Sequence, residues 1–281
     1  MSETENERRI SRRPDPGNLR FSDIVAAGDV RLPDFYRLYA GIFTLEEERE
    51  SLDGFARVLS FNDERAVQAE FGPLREQITI ATDPASGRII GAANYALYTF
   101  GEPEHGGGFA ASSQLNFLCI DPDFRGFGIG GRLLADLYAK LEAFAREHGV
   151  RAGAHTFVTC EQNNPTRMSA QQLADDLAAA GIDPYDRMRW WRRRGFRRLQ
   201  FDYCQPALGA GQEPCRYIDF YVRFEGRDSE TDAAIPGSVL LEHLRRFFYV
   251  SVGKFEQDMS REPNWLRQKK QLLAIPYVGV D

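Results

Sequence analysis

Residues 118–137 read LCIDPDFRGFGIGGRLLADL, and the fold turns on how this stretch is read. The apolar run "SSQLNFLCI" (112–120) has the character of a buried strand and stops at the turn pair Asp121–Pro122. Gly126, Gly128, Gly130 and Gly131 then lead into a segment whose apolar residues Leu133, Leu134, Leu137, Tyr138, Leu141 and Phe144 share one helical face. A strand, a glycine-dense loop and a helix N-terminus in succession turn backbone amides toward one point, where the helix end adds partial positive charge. That arrangement suits phosphate oxygens. Glycines let a ligand approach the backbone closely, and Arg125 and Arg132 offer charge-assisted donors.

Several readings compete for this loop. Gly126-x-Gly128-x-x-Gly131 fits the dinucleotide fingerprint, which also asks for an acidic residue about 20 positions on. That region holds Arg151, Glu161 comes late, and the preceding chain looks like antiparallel hairpins instead of a βαβ unit. A kinase-type loop lacks its downstream catalytic motifs. A turn without a ligand leaves four glycines flanked by two arginines unexplained.

Outward from the loop, "LPDFYRLYAGIF" (32–43) and "TLEEERESLDGFARVLSF" (44–61) have helical spacing, with Thr44 and Glu47 as a capping-box pair. "EQITIAT" (76–82) and "RIIGAANYALYTF" (88–100) are strand-like on either side of the turn "DPASGR". "GAHTFVTC" (153–160) reads as a buried strand, "SAQQLADDLAAAG" (169–181) as a helix closed by Gly181, and "DPYDRMRWWRRRG" (183–195) as a helix ended by Gly195. The strands "FRRLQFDYC" (196–204) and "CRYIDFYVRF" (215–224) follow, then an amphipathic helix, "GSVLLEHLRRFFYV" (237–250). This order predicts one mixed α/β domain with additions at both ends.

The chain has 281 residues, 43% of them hydrophobic, and a net charge of −6, which reads as an ordinary globular protein without general attraction to nucleic acid. No apolar run is long enough to span a membrane, and the charged N-terminal segment lacks a signal-peptide centre, so a cytoplasmic location is expected. Cys119, Cys160, Cys204 and Cys215 form no CxxC pair and are expected as reduced thiols, although Cys204 and Cys215 could bridge in principle. The four histidines lack metal-ligand spacing, so no metal is expected.

Arg125-x-x-Gly128-x-Gly130, preceded by a strand ending "IDP", resembles the acyl-CoA pyrophosphate loop of the GNAT superfamily of N-acetyltransferases. The element order over roughly residues 20–225 resembles that family as well, including the downstream "RWWRRRGF" (189–196). The resemblance implies a mixed, mainly antiparallel sheet flanked by helices, with a splayed pair of central strands. It divides the chain into a disordered charged tail (1–20), a GNAT-like domain (21–225) and a helical C-terminal extension (226–281).

Acetyl-CoA is the implied co-substrate. Its pantetheine arm would pair with the strand edge at Leu118, Cys119 and Ile120, and the amides from Gly126 through Phe127, Gly128, Ile129 and Gly130 to Gly131 would hold the pyrophosphate, with Arg125 at the start of the loop. One strand amide would also polarise the thioester carbonyl. Asn163 and Asn164 both fit the asparagine that often faces the CoA arm, and Asn164 is the preferred one.

The implied chemistry is direct attack by an amine, for which a base must take a proton. Glu161 is the candidate base, against the simpler role of a carboxylate capping a strand end; His105 is the alternative. Cys119 is read as a small core residue. Many family members carry a tyrosine acid where this chain has Trp191, and indole cannot serve as one. Tyr185 and Tyr203 are nearby in sequence, without a placement at the sulfur.

The acceptor is expected to be a small-molecule or peptide amine, with no nucleic-acid or membrane partner. Residues 163–189 and the extension are expected to shape its pocket or a homodimer interface. Two further hypotheses remain, a CoA-binding sensor without catalysis and a nucleic-acid module built on "RMRWWRRRGFRR" (187–198).

Overall fold

The computed structural model describes residues 18–44, 49–100, 109–150, 155–205, 217–225, 234–253 and 258–281. Strands β1 (Arg20–Ile24), β2 (Leu74–Thr82), β3 (Ile89–Thr99) and β4 (Phe109–Ile120) pair antiparallel in sequence. β5 (His155–Asn163) lies parallel to β4, and β7 (Ile218–Glu225) and the short β6 (Arg197–Arg198) complete a sheet ordered β1-β2-β3-β4-β5-β7-β6. Only the β4–β5 pair needs a crossover, which the helix after the glycine loop supplies. The mixed, mainly antiparallel sheet flanked by helices is therefore the one the sequence predicts.

Helices α1 (Leu32–Ile42), α2 (Leu52–Ser60) and α3 (Arg65–Phe71) precede β2. Phe35, Tyr39 and Phe55 pack on Ile78, Ile80, Ala92 and Cys119. The opposite face carries α4 (Ile129–Glu147), whose Leu133, Leu134, Leu137, Leu141 and Phe144 are buried against Tyr95, Leu97 and Leu115. Each such side chain contributes about 2 kcal/mol when buried, so packing more than helix propensity holds α4 in place. α5 (Ala170–Ala180) starts at a capping box formed by Ser169 and Gln172, and α6 (Pro184–Arg192) starts at Asp183, which accepts from the amides of Tyr185 and Asp186.

The extension forms a ribbon of β8 (Ala234–Pro236) and β9 (Tyr277–Gly279), with α7 (Gly237–Arg246), a π-helical turn (Phe247–Val252) and α8 (Pro263–Ala274) between them. It shares one core with the sheet, in which Leu240, Leu244 and Phe248 pack with Phe157, Phe220 and Val222. His243 is fully buried between Ser112 Oγ, 2.8 Å from Nδ1, and Thr159 Oγ1, 2.7 Å from Nε2. Burial pushes its pKa down to about 3, so this imidazole stays neutral.

Several boundaries differ from the sequence pattern. The helix predicted from Thr44 begins at Leu52, where Ser51 accepts from the Gly54 amide at 2.9 Å, and Glu47 lies outside the described residues. The strand expected over 196–204 stops at Arg198, because Leu199 bridges to Val280 of the C-terminus and the chain then turns inward. β1, α3 and α8 were hidden by short or charge-rich sequence. Among the described residues no helix is long and apolar enough to cross a membrane.

Candidate active site

The splay that the site depends on arises from one irregularity in β4. In its pairing with β3, Asn94 opposes Phe117 and Tyr95 opposes Leu115, which leaves Asn116 as the extra residue of a β-bulge. A bulge bends and twists its strand. Pairing of β4 with β5 ends at this point, at Leu115 and Cys160, whereas Glu161, Gln162 and Asn163 stay paired with Phe220, Asp219 and Ile218 of β7. The edge of β4 from Asn116 to Ile120 is thereby released, including Leu118, Cys119 and Ile120, and alternate backbone groups there turn toward the gap.

β4 runs into the loop through a short 3-10 turn, Pro122–Phe124. Asp121 caps it by accepting from the Asp123 amide at 3.0 Å and is held by Arg88 at 2.8 Å. Gly126 and Gly128 have φ of +85° and +78°, a region costly to residues with a Cβ, and no atom lies within 4 Å of where a side chain would start. Gly128 is the N-cap of α4, so the first amides of the helix open onto the same space. A Cβ on Gly130 would lie 3.1 Å from the Trp190 ring, which covers this end of the helix.

The gap and the loop belong to one cleft of about 1590 Å³. Leu118, Ile120, Arg125, Gly126, Gly128, Ile129, Gly130 and Gly131 line it from the end of β4 and the loop, Glu161 and Asn163 from β5, and Phe43, Phe55, Asn94, Asn116, Phe247 and Ser251 from the elements around them. Phe127 is half-buried and packs against the core around α4. Cys119 faces the α1–α2 side with its sulfur 3.6 Å from the Ala92 carbonyl, and burial pushes the thiol up to about 12.

Three predicted residues sit differently from what their positions suggest. Arg125 is committed to the protein, since Nη1 donates to the Ala180 carbonyl at 2.9 Å and Nε to the Ile120 carbonyl at 3.3 Å. It ties the loop to the end of α5. Asn164 donates to Asp219 at 2.6 Å and caps the turn Pro165–Arg167 through Thr166, so Asn163 is the asparagine on the cleft wall. The Arg132 guanidinium lies over Phe21, 5.0 Å from the ring centre.

Glu161 is the first residue of β5 beyond the splay. Tyr203 donates its phenol hydrogen to Oε1, and Gln205 Nε2 donates to Oε2 at 2.9 Å. Burial raises its pKa to about 7 although both hydrogen bonds pull it down. Such a carboxylate is poised to exchange a proton near neutrality. Trp191 is buried in the core, edge-on to Phe196 with ring centres 4.9 Å apart, and offers no acid. Tyr203 was missed as a partner of Glu161, since neither its distance in sequence nor its surroundings signal the contact. His105 and Cys215 lie outside the described residues, whereas Cys119 and Cys160 are free, buried thiols and Cys204 is buried with its sulfur 3.6 Å from the Gln205 carbonyl.

The arginine run does not make a continuous cationic surface. Arg187 pairs with Asp176 at 2.7 Å, Arg189 with Asp186 at 2.5 Å, and Arg198 with Asp281. Arg194 stacks on Trp190, 3.5 Å from the ring centre, and with Arg193 it lines the cleft near the loop.

A search of curated protein sequences finds no match. Three solved structures illustrate those the fold is similar to. An Elizabethkingia anophelis GNAT acetyltransferase with acetyl-CoA bound is 14% identical, over 73% of this chain and 97% of its own, at a TM-score of 0.38. An IAA acetyltransferase from Bacillus cereus is 13% identical, over 74% and 100%, at 0.39. Arabidopsis thaliana Naa50, in complex with the bisubstrate analogue CoA-Ac-MVNAL, is 12% identical, over 73% and 97%, at 0.41. The model of the acetyltransferase (GNAT) family matches residues 32–168, which run from α1 through the bulged strand, the glycine loop and α4 to the turn after β5. Residues 32–168, which hold the splayed strands and the left-handed loop, thus match the acetyltransferase (GNAT) family.

Proposed function

We propose that the protein moves an acetyl group from acetyl-CoA to a primary amine by direct attack, with Glu161 as the base. The observation that carries this reading is the position of Glu161, a hydrogen-bonded carboxylate with a pKa near 7 at the point where β4 and β5 part. The open amides of Gly126 through Gly131 fit a pyrophosphate, and Arg193 and Arg194 add positive charge on that side of the cleft. The free edge of β4 fits an amide-bearing arm, and Asn163 replaces Asn164 as the side chain beside it.

In the reaction, the amine nitrogen forms a bond to the thioester carbonyl carbon while a β4 amide near the bulge stabilises the developing oxyanion. Glu161 takes the proton that the amine must lose. The C–S bond then breaks and sulfur departs with its electron pair. A thiol has a pKa of about 8.5, so a thiolate leaves tolerably without an acid, consistent with tryptophan at position 191.

A coupled assay of thiol release over a panel of amines tests this reading. Turnover with at least one amine class, lost in Glu161→Gln while acetyl-CoA still binds, is the expected result. Tight acetyl-CoA binding without thiol release from any amine would instead favour a sensor without catalysis, the role that Trp191 leaves open.

A further inference from the structure

The extension brings a second polar group to the cleft, far from Glu161. Ser251, on the π-helical turn after α7, lines the cleft and donates to Glu76 Oε1 at 2.9 Å. The Tyr98 hydroxyl lies 3.5 Å from the same serine oxygen. Glu76 is fully buried on β2, and its second oxygen, Oε2, has no hydrogen-bond partner. Burial raises its pKa to about 7. A carboxyl group buried without a cation is costly, so packing alone does not account for it. Interruptions of a helix by a π turn also occur frequently at functional sites.

The sheet register relates the two carboxyl groups. Glu76 opposes Ala96, Ala96 opposes Gln114, and Gln114 opposes Thr159, so these residues share one face. Glu161, two residues beyond Thr159, is on that face too. Between the carboxyls, Asn94 and Asn116 line the cleft. Asn94 Nδ2 donates to the Gln77 carbonyl at 3.2 Å, which fixes its amide orientation. Asn116 Nδ2 must then face Asn94 Oδ1, 3.2 Å away, leaving Asn116 Oδ1 without a partner. Acceptor groups therefore lead from Glu161 past Asn116 toward Ser251 across three strand spacings, about 14 Å. Arg49 and Glu50, which also line the cleft, offset one another in charge.

We propose that the acceptor is a diamine or polyamine, with one amino group reacting at Glu161 and a second, as ammonium, bound by Ser251 backed by Glu76. This rests on the acetyltransferase reading. The serine oxygen accepts from the ammonium while its own hydrogen stays on the Glu76 carboxylate, so a charge within the protein answers a charge on the acceptor.

The test is thiol release from acetyl-CoA with straight-chain α,ω-diamines and spermidine, each against a monoalkylamine of equal length. Wild-type protein, Ser251→Ala and Glu76→Gln are compared, with melting temperature and acetyl-CoA affinity as checks on folding. In wild type, kcat/KM for the best diamine is expected to exceed that of its monoamine roughly tenfold or more, and the ratio to fall toward one in both variants. Equal rates for diamine and monoamine in wild type, or a ratio unchanged in Ser251→Ala, would overturn the assignment and leave the acetyltransferase reading intact. Bound acetyl-CoA without thiol release from any amine would overturn both.

Discussion

Tyr203 donates its phenolic hydrogen to Glu161 from 42 residues further along the chain, and with Gln205 it holds both carboxylate oxygens. These bonds lower the Glu161 pKa, opposing the burial that raises it to about 7. A base must be deprotonated, so kcat/KM should climb through pH 7 as Glu161 loses its proton. Tyr203→Phe removes one lowering influence and should move that limb to higher pH, with the deficit at pH 7 largely recovered in alkaline buffer. Glu161→Gln should cost about 10²–10⁴-fold above pH 7, and the deficit should narrow as pH falls and the wild-type carboxylate takes up its proton. Amine ionisation adds its own rise, so the ratio of variant to wild-type profiles is the quantity to measure.

Gly128 combines a positive φ with open space above it. Gly128→Trp should fill the space over the α4 amides and reduce acetyl-CoA affinity at least tenfold by calorimetry. The strain of a side chain in left-handed backbone should cost about 1–2 kcal/mol, so the variant remains folded at room temperature. Undiminished binding would place the pyrophosphate elsewhere.

The buried carboxyl of Glu76 also sets a pH dependence of stability. Its pKa is about 7 when folded, against an ordinary 4.5, so between those values the native state holds a proton that the unfolded chain releases. Stability from this group is present below pH 4.5 and falls as pH rises toward 7, by on the order of 3 kcal/mol. Glu76→Gln should match wild type near pH 4.5 and surpass it at pH 8. Denaturant titrations at the two pH values check this.

His243 joins α7 to β4 and β5 through Ser112 and Thr159, just below the splay. His243→Leu leaves both hydroxyls, already cut off from water, without this partner. A loss of about 2–4 kcal/mol is expected, along with faster proteolysis of the extension. The same imidazole resists charging, with a pKa near 3 against 6.5, so its contribution declines as pH falls below 6.5. The His243→Leu deficit should therefore narrow in acid.

Local pattern carried much of the architecture. Strand 112–120, the turn at Asp121–Pro122 and the helix after Gly128 were legible because alternation, turn chemistry and 3.6-residue spacing act over a few residues. The phosphate-type loop was legible for the same reason. What residues 163 and 164 do was not, because two adjacent asparagines differ only in which one the turn at Pro165 takes as its cap. Nor did Arg125 signal its bonds to Ala180 and Ile120, since those carbonyls are brought to it by α5 and by the end of β4.

By itself, then, the sequence determined the order of elements, the glycine loop and the candidacy of Glu161, all properties of short segments. Only the tertiary structure decided that Asn116 is the bulge that frees β4, that Tyr203 and Gln205 grip Glu161, and that Ser251 reaches Glu76 from 175 residues away. Those relationships join strands and helices distant in the chain, and no local periodicity encodes which buried polar groups will meet once the sheet has closed around them.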